Sequence, residues 1–377
     1  MLEALYTDSY RDSSIGKLSM IISKLGLGNI VTDRLQNRKP NIPKEKIFAN
    51  DRWQWRIILD RFSSSGRLSN LECVYQGGAR EMISHGVGMA NWLYAMFIEN
   101  LEFTKYAKSK GLRVLTDIYE NPYIFADLAN EVATISEYSE LQYLKAGFEA
   151  ESALRMKYID ELLSTADKYL VPSAYVRDSL RRSPNFDESK VNIVPYKSSI
   201  KSTEYQNEPI KGRLIWIGNE PIRKGFSYAY RAFKKLKEHY PEVSLRVIGP
   251  MPERLVTDSR FSDVIFTGYL NKEQLAQEFR KADIYLFPTL AEGFAGSLLE
   301  AAGFGVPIVT THASGFADDF PGVFVPVKDE DAIAEAVARL LDDRSARDAM
   351  SKAVFDYAKT FQSDRFEKDL IKILTDE

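Results

Sequence analysis

Apolar and polar positions change period repeatedly along the chain, marking short strands and longer helices. In the first half, the apolar runs LEALYT near Leu2, ECVYQ near Cys73, RVLTDIY near Val114 and KYLVPS near Tyr169 read as strands separated by helical patterns. Strands alternating with helices predict a parallel sheet covered by helices. The polar stretch Asn37 to Asn50, with Pro40 and Pro43, reads as loop, and Ile30 to Val31 as a weak strand. The longest apolar-leaning stretch, Gly86 to Ile98, is short of the roughly 20 residues that cross a bilayer and reads as a buried helix.

The second half is more regular. RLIWIG at Arg213, SLRVIG at Ser244, DVIFTG at Asp263, DIYLFPT at Asp283 and PIVTT at Pro307 are β-rich runs, mostly ending in or near Gly or Pro. Apolar residues at Ile333, Val337 and Leu340, with acids in the first turn, predict an amphipathic helix. Phe366, Leu370 and Leu374 give the last segment one apolar stripe. The polar stretch after VNIVPY separates two regions that each have their own strands. The expected division is therefore an amino-terminal Rossmann-like domain over 1–198, a second over 199–360, and a terminal helix over 361–377 that docks on the first. The expected class is α/β, two Rossmann-like domains facing a central cleft.

Composition narrows the function. Fifty basic and 53 acidic residues leave a net charge of −3, which offers no global attraction to nucleic acid or anionic lipid. The single cysteine, Cys73, excludes an intramolecular disulfide and a thiolate zinc cage and suits a reducing cytoplasm. Asp8 and Asp12 stand where a signal peptide needs a basic and then an apolar region. His85, His239 and His312 lack metal-like spacing, so no metal is expected. Gly16-Lys17 is followed by Leu18 rather than the hydroxyl of a phosphate-binding loop, and Gly86-Val-Gly88 lacks the third glycine of a dinucleotide fingerprint.

Two segments carry chemistry. FPTLAEGFAGSLLEAAGFGVPIVTT reads as strand, turn, helix, turn and strand, with Gly293 and Gly296 beside the helix start and Gly303 and Gly305 at its stop. Free amides near Ala295 to Leu298, at the positive end of the helix dipole, suit an anion such as a diphosphate. Glu292 and Glu300 are eight residues apart, about 12 Å along an ideal helix and roughly 80° around it. They read as separate acceptors, one for the hydroxyls of a transferred sugar and one for a ribose. In IWIGNEPIRKGF a strand ends at Gly218, and Arg223-Lys224-Gly225 opens the next helix, so two cations stand at the same sheet edge.

These segments resemble the family-4 retaining glycosyltransferases, which have the glycosyltransferase-B fold. EGFAGSLLEAAGFGVPIVTT is similar to that family's segment with two glutamates and a trailing glycine, proline and strand. IGNEPIRKGF resembles its cation-bearing turn, and VPSAYVRDSL and VNIVPY resemble the end of its first domain. The resemblance runs from about Thr165 to Asp343. It implies sugar transfer from a nucleotide-diphosphate donor with retention of configuration, no organic cofactor and no obligatory metal. It further implies Lys224 on the diphosphate, Glu300 on the ribose, Glu292 facing the sugar, and the amides near Ala295 to Leu298 on sugar and phosphate. Gly218, Gly293, Phe294, Gly296 and Ser297 belong to the same donor surface. Tyr269 and Leu270 either line the base or pack.

The chain departs from that pattern at three places. Asn219 stands where the family often has arginine, so either Arg223 substitutes on the diphosphate or that group is held more weakly. The glycine-rich loop after the first strand is reduced to Ser13, Ser14, Ile15 and Gly16, with Gly16 the remaining acceptor-side candidate. Where relatives place a histidine, this chain offers Asp117 and, three residues on, Glu120. Asp117 either touches the transferred sugar or caps the turn toward Pro122. The expected partners are a nucleotide sugar, with UDP or GDP, and a glycan, lipid-linked or small-molecule acceptor in glycan or polysaccharide biosynthesis, without nucleic acid. Arg52, Trp53, Trp55, Arg56 and Trp92 serve either core packing or contact with the inner face of a membrane. A non-catalytic nucleotide-sugar-binding or assembly subunit is the alternative, and a sugar-nucleotide oxidoreductase is disfavoured by the missing fingerprint.

Overall fold

A computed structural model describes residues 5–7, 12, 13, 17, 42–49, 69–96, 101–197, 205–361 and 365–375. The first elements are β1 (Leu5–Thr7), β2 (Ile47–Ala49), α1 (Ser69–His85), β3 (Trp92–Met96), α2 (Leu101–Ser109), β4 (Arg113–Asp117), α3 (Ile124–Thr134), α4 (Lys145–Thr165), β5 (Lys168–Val171), α5 (Ala174–Leu180) and β6 (Val191–Ile193). There follow β7 (Arg213–Ile217), α6 (Phe226–His239), β8 (Ser244–Ile248), α7 (Glu253–Val256), β9 (Val264–Gly268), α8 (Lys272–Lys281), β10 (Ile284–Phe287) and α9 (Gly296–Gly303). The last are β11 (Ile308–Thr310), β12 (Val323–Phe324), α10 (Glu330–Asp342), α11 (Arg344–Lys359) and α12 (Arg365–Thr375). This is an α/β fold with parallel sheets.

The chain divides into two units. The first holds Met1–Asp117 with Ala153–Tyr169, and the second Ile118–Ser152 with Leu170–Glu377. In the first, β1 pairs parallel with β2, and β3 pairs parallel with β4 from Trp92↔Arg113 to Met96↔Asp117. Ala79 and Met82 of α1 pack with Phe103 of α2 beneath Leu93.

The second unit is built on a six-stranded parallel sheet of order β12-β11-β10-β7-β8-β9. Its first strand, β7, lies inside the sheet. The next two strands extend to one side and the last three to the other, which is the Rossmann order. The connection therefore reverses direction between β7 and β10, and in such sheets ligands bind outside the strands' carboxyl ends at that reversal. One face of this sheet carries Leu214, Trp216, Leu245, Val247, Ile284 and Leu286, which pack under Phe226 and Phe233 of α6 and Val337 of α10. The other face, with Ile215, Tyr285 and Phe287, packs against Leu298 and Leu299 of α9 and Val354 of α11. Ile124 and Leu128 of α3 and Tyr138 join the first of these cores.

The five strands read in the second half all form. Several first-half readings are corrected. ECVYQ lies within α1, not a strand; a short apolar run has no period of its own, and Ala79 and Met82 continue it at helical spacing. The described part of Gly86 to Ile98, residues 86–96, is a turn and a strand, not a buried helix. Gly86 and Gly88 take φ of 79° and 57°, which ends α1 at His85, and WLYAM then pairs with β4. Within the expected loop of 37–50, a 3-10 turn at Lys44–Lys46 leads into β2. The terminal stripe of Phe366, Leu370 and Leu374 is half-buried, Ile373 beside it is the buried residue of α12, and that helix meets Tyr196 and Lys197 through Phe366 and Glu367. The weak strand at Ile30 to Val31 and Arg52, Trp53, Trp55 and Arg56 lie outside the described residues. Among the described residues no helix is long and apolar enough to cross a membrane, and no cluster of His, Cys, Asp and Glu could hold a metal ion.

Candidate functional site

The first wall of the site is the turn after β7. Gly218 donates its N–H to the Ile248 carbonyl at 2.9 Å. A Cβ at Gly218 would come within 2.4 Å of Lys224 Cδ and 2.8 Å of the Trp216 ring, so the glycine makes room for the lysine stem. Trp216 Nε1 donates to the Lys224 carbonyl at 3.1 Å. The buried Tyr138 hydroxyl donates to the Pro221 carbonyl at 2.9 Å and accepts from the Ser227 N–H at 3.1 Å, joining both ends of the turn. Gly225 caps α6 with φ of 67°, and a Cβ there would stand 2.0 Å from the Pro288 carbonyl oxygen. Only glycine satisfies both conditions.

The second wall is the turn after β10, laced to the first. The Arg223 carbonyl accepts from Leu290 N–H at 2.8 Å and Thr289 Oγ1 at 3.0 Å. Its guanidinium donates to the Ala291 carbonyl at 2.8 Å and pairs with Glu220. Glu292 Oε1 then lies 2.8 Å from Arg223 Nη1 and 3.1 Å from Lys224 Nζ. These three side chains are only 13–15% exposed. Burial pushes the Glu292 carboxyl upward, but the Lys224 and Arg223 charges outweigh it and hold the group below the usual carboxylate range. For Arg223, burial favours the neutral form, and Glu292 and Glu220 outweigh it, so the guanidinium stays charged.

Beyond Glu292 the chain turns into α9. A Cβ at Gly293 would lie 1.7 Å from the Tyr119 carbonyl oxygen, and the Gly293 carbonyl accepts from Ser173 Oγ at 2.7 Å. Ala295 N–H, expected to be free, donates to the Ser314 carbonyl at 3.0 Å, and Leu298 N–H turns back to the Ala295 carbonyl at 3.0 Å. Among the described residues this leaves Gly296 and Ser297 as the first-turn amides with no backbone acceptor. Gly296 is exposed, with open space where a Cβ would stand. Because α9 begins only at Gly296, helical arithmetic does not apply between Glu292 and that residue. Glu300 is half-buried on α9. The buried Tyr285 phenol shares a 3.0 Å hydrogen bond with Ser297. Its pKa is pushed up by burial, against Ser297 and with the charges of Glu292 and Glu300, so both carboxylates act on one buried group.

The structure thus brings Gly218, Arg223, Lys224, Glu292 and Gly293 onto linked turns at the β7/β10 reversal, with Gly296, Ser297 and Glu300 on the helix that follows the second turn. Asn219 is exposed just after β7, and Leu298 is buried against the sheet. Phe294 stacks on Phe316 at 4.4 Å. Tyr269 is 56% exposed, while Leu270 packs on the core before the capping box of α8. Asp117, in the first unit, is 3% exposed at the end of β4 and accepts from the Tyr94 hydroxyl. Gly16 lies outside the described residues. Tyr138, Ser173 and Tyr285 escaped the sequence reading; a buried tyrosine in a strand signals that its hydroxyl has a partner without saying where.

Residues 211–343 match the family described as glycosyl transferases group 1. The fold is that of the glycosyltransferase-B enzymes. Over its full length the chain resembles the structure of Anabaena Alr3699/HepE in complex with UDP and glucose, with a TM-score of 0.59 at 12% identity and all of both chains covered. An uncharacterized glycosyltransferase of Methanocaldococcus jannaschii is 26% identical over 42% of this chain and 44% of its own length. The D-inositol 3-phosphate glycosyltransferase of Corynebacterium kroppenstedtii is 25% identical over 58% of this chain and 55% of its own. The chain spans about half the length of these two curated relatives.

Proposed function

We propose that the chain is a retaining glycosyltransferase that moves a hexose-type sugar from a nucleotide-diphosphate donor to a glycan, lipid-linked or small-molecule acceptor. The observation that carries this reading is the pair of cations, Arg223 and Lys224, held at the sheet reversal on a turn laced to the one that leads into α9. The Arg223 charge, fixed beside an open helix start, suits a diphosphate with Lys224 adjustable next to it, and remains in place as that group departs. Glu300 would take the ribose hydroxyls, Glu292 the sugar, and Tyr269 with Leu270 the base, while Asp117 is assigned to the transferred sugar. The anomeric bond to the diphosphate oxygen breaks, and the acceptor oxygen bonds to the same face. The acceptor proton passes to the departing phosphate oxygen. The Anabaena structure, with its UDP and glucose, supports a nucleotide-sugar donor.

Titration calorimetry with uridine and guanosine diphosphate, beside a donor-turnover assay, tests the reading. Losing a hydrogen bond to a charged group costs about 1.5–3 kcal/mol, so Lys224→Ala is expected to weaken diphosphate binding by roughly 10- to 150-fold. Glu300→Ala is expected to reduce donor affinity or turnover with the fold intact. Wild-type affinity and turnover in both variants would refute the site.

A further inference from the structure

The geometry points to Glu292 as an internal competitor for the donor's phosphate: its carboxylate holds the Lys224 ammonium, and donor binding exchanges carboxylate for phosphate and releases Glu292 toward the sugar. The inference rests on the reading of Arg223 and Lys224 as diphosphate ligands.

The two cations face two carboxylates, Glu292 and Glu220, so the cluster carries no net charge to attract an anion. A phosphate reaching Lys224 while Glu292 stays in place would set two anions on that ammonium, with Arg223 already shared between Glu292 and Glu220, beside side chains only 13–15% exposed. One anion must leave. Arg223 is the fixed member, since its carbonyl and guanidinium are both tied to Thr289, Leu290 and Ala291. Lys224 is the adaptable one: its ammonium, on a flexible stem, lies 3.1 Å from Glu292 and 4.9 Å from the centre of the Phe287 ring. Glu292 is one residue from the turn's backbone anchor at Ala291, so its side chain can rotate off Lys224 while the turn keeps its shape. Binding of the diphosphate thereby frees the carboxylate that the sugar needs, which couples sugar recognition to recognition of the leaving group. A sugar without its diphosphate would find Glu292 engaged.

The test compares wild type, Glu292→Gln and Lys224→Ala, with inorganic pyrophosphate as the calorimetric probe and donor turnover as the second readout. Glu292→Gln removes the competing charge, and pyrophosphate is expected to bind about tenfold tighter, equivalent to about 1.4 kcal/mol, while turnover falls. A merely structural role for Glu292 would loosen the cation turn instead, so unchanged or weaker pyrophosphate binding overturns the inference. Should Glu292→Gln fail to fold, Glu292→Asp withdraws the carboxylate from Lys224 by one methylene, and the same tightening is expected at smaller size. Lys224→Ala separates the two claims. Loss of pyrophosphate binding in that variant leaves the diphosphate site standing whichever way Glu292→Gln goes, whereas full retention overturns both.

Discussion

Two glycines three residues apart give the sharpest test of how the turn into α9 is built. At Gly293 an added Cβ would stand 1.7 Å from the Tyr119 carbonyl oxygen, 2.8 Å from its carbon and 3.2 Å from Pro172 Cγ. Reaching an ordinary contact requires a backbone displacement on the order of 1.5 Å, well beyond what packed interiors absorb by relaxation. The turn has little freedom to make it. Ser173 holds the Gly293 carbonyl, Ala313 holds the Glu292 N–H at 2.8 Å, and Ser314 holds the Ala295 N–H. Overpacking costs about 1–3 kcal/mol, and loss of the Ser173 bond adds about 1 kcal/mol, so Gly293→Ala is expected to destabilise the second unit by about 2–4 kcal/mol. For a unit of this size that lowers Tm by roughly 4–16 °C. At Gly296 nothing stands within 4 Å, so Gly296→Ala is expected to keep or raise Tm by up to a few degrees. Its methyl group would obstruct an anion approaching the Gly296 amide, so diphosphate affinity should fall. Scanning calorimetry and diphosphate titration on both variants decide the matter. A Gly293→Ala protein melting within about 2 °C of wild type would refute the packing argument.

Tyr138→Phe removes the hydroxyl that serves both Pro221 and the Ser227 N–H, and leaves that buried amide without its acceptor. A loss of about 1–3 kcal/mol is expected in urea unfolding, and an unchanged midpoint would show that the turn does not depend on it. The carboxyl of Glu292 is held below its ordinary value in the folded state, so its contribution to stability is fully present above that ordinary value, about 4.3, and is lost as pH falls through the depressed one. Unfolding of wild type and Glu292→Gln should therefore differ at neutral pH and converge in acid; a difference constant from pH 3 to 7 would exclude the linkage.

The legible parts of the molecule were those in which local chemistry and tertiary role agree. RLIWI and IYLF are β-rich, buried and closed by Gly or Pro, and both form inner strands of the six-stranded sheet. ECVYQ and WLYAM misled because a five-residue run does not distinguish a helical from an extended period, and the decisive signals lay outside each run. For the first it was the continuation through Ala79 and Met82, and for the second the left-handed glycines at 86 and 88. Arg223, Lys224 and Glu292 were legible as turn residues at strand ends. Their mutual pairing was not, since Arg223 and Ala291 are 68 positions apart and nothing in either segment names the other. Ser173 and Tyr138 were hidden for the same reason: each acts on a turn more than 80 residues away.

The sheet order explains why this distant pairing has the force of a local one. Placing β10 directly beside β7 makes the turns that follow them neighbours, and their backbones bond to each other rather than to water. Arg223 is thereby fixed by its own carbonyl before its charge is used, so the guanidinium position costs no further ordering when an anion arrives. Among the described residues the Lys224 ammonium has no such tie beyond Glu292 and the Phe287 ring, and it remains the adjustable donor. A carboxylate between a fixed and an adjustable cation keeps the buried charges balanced and sets a threshold for any ligand: only a group with more negative charge than a carboxylate gains by replacing it. A diphosphate meets that condition and a neutral sugar does not. The electrostatics of three side chains, rather than the shape of the sugar pocket, would then decide the order in which the two parts of the donor are recognised.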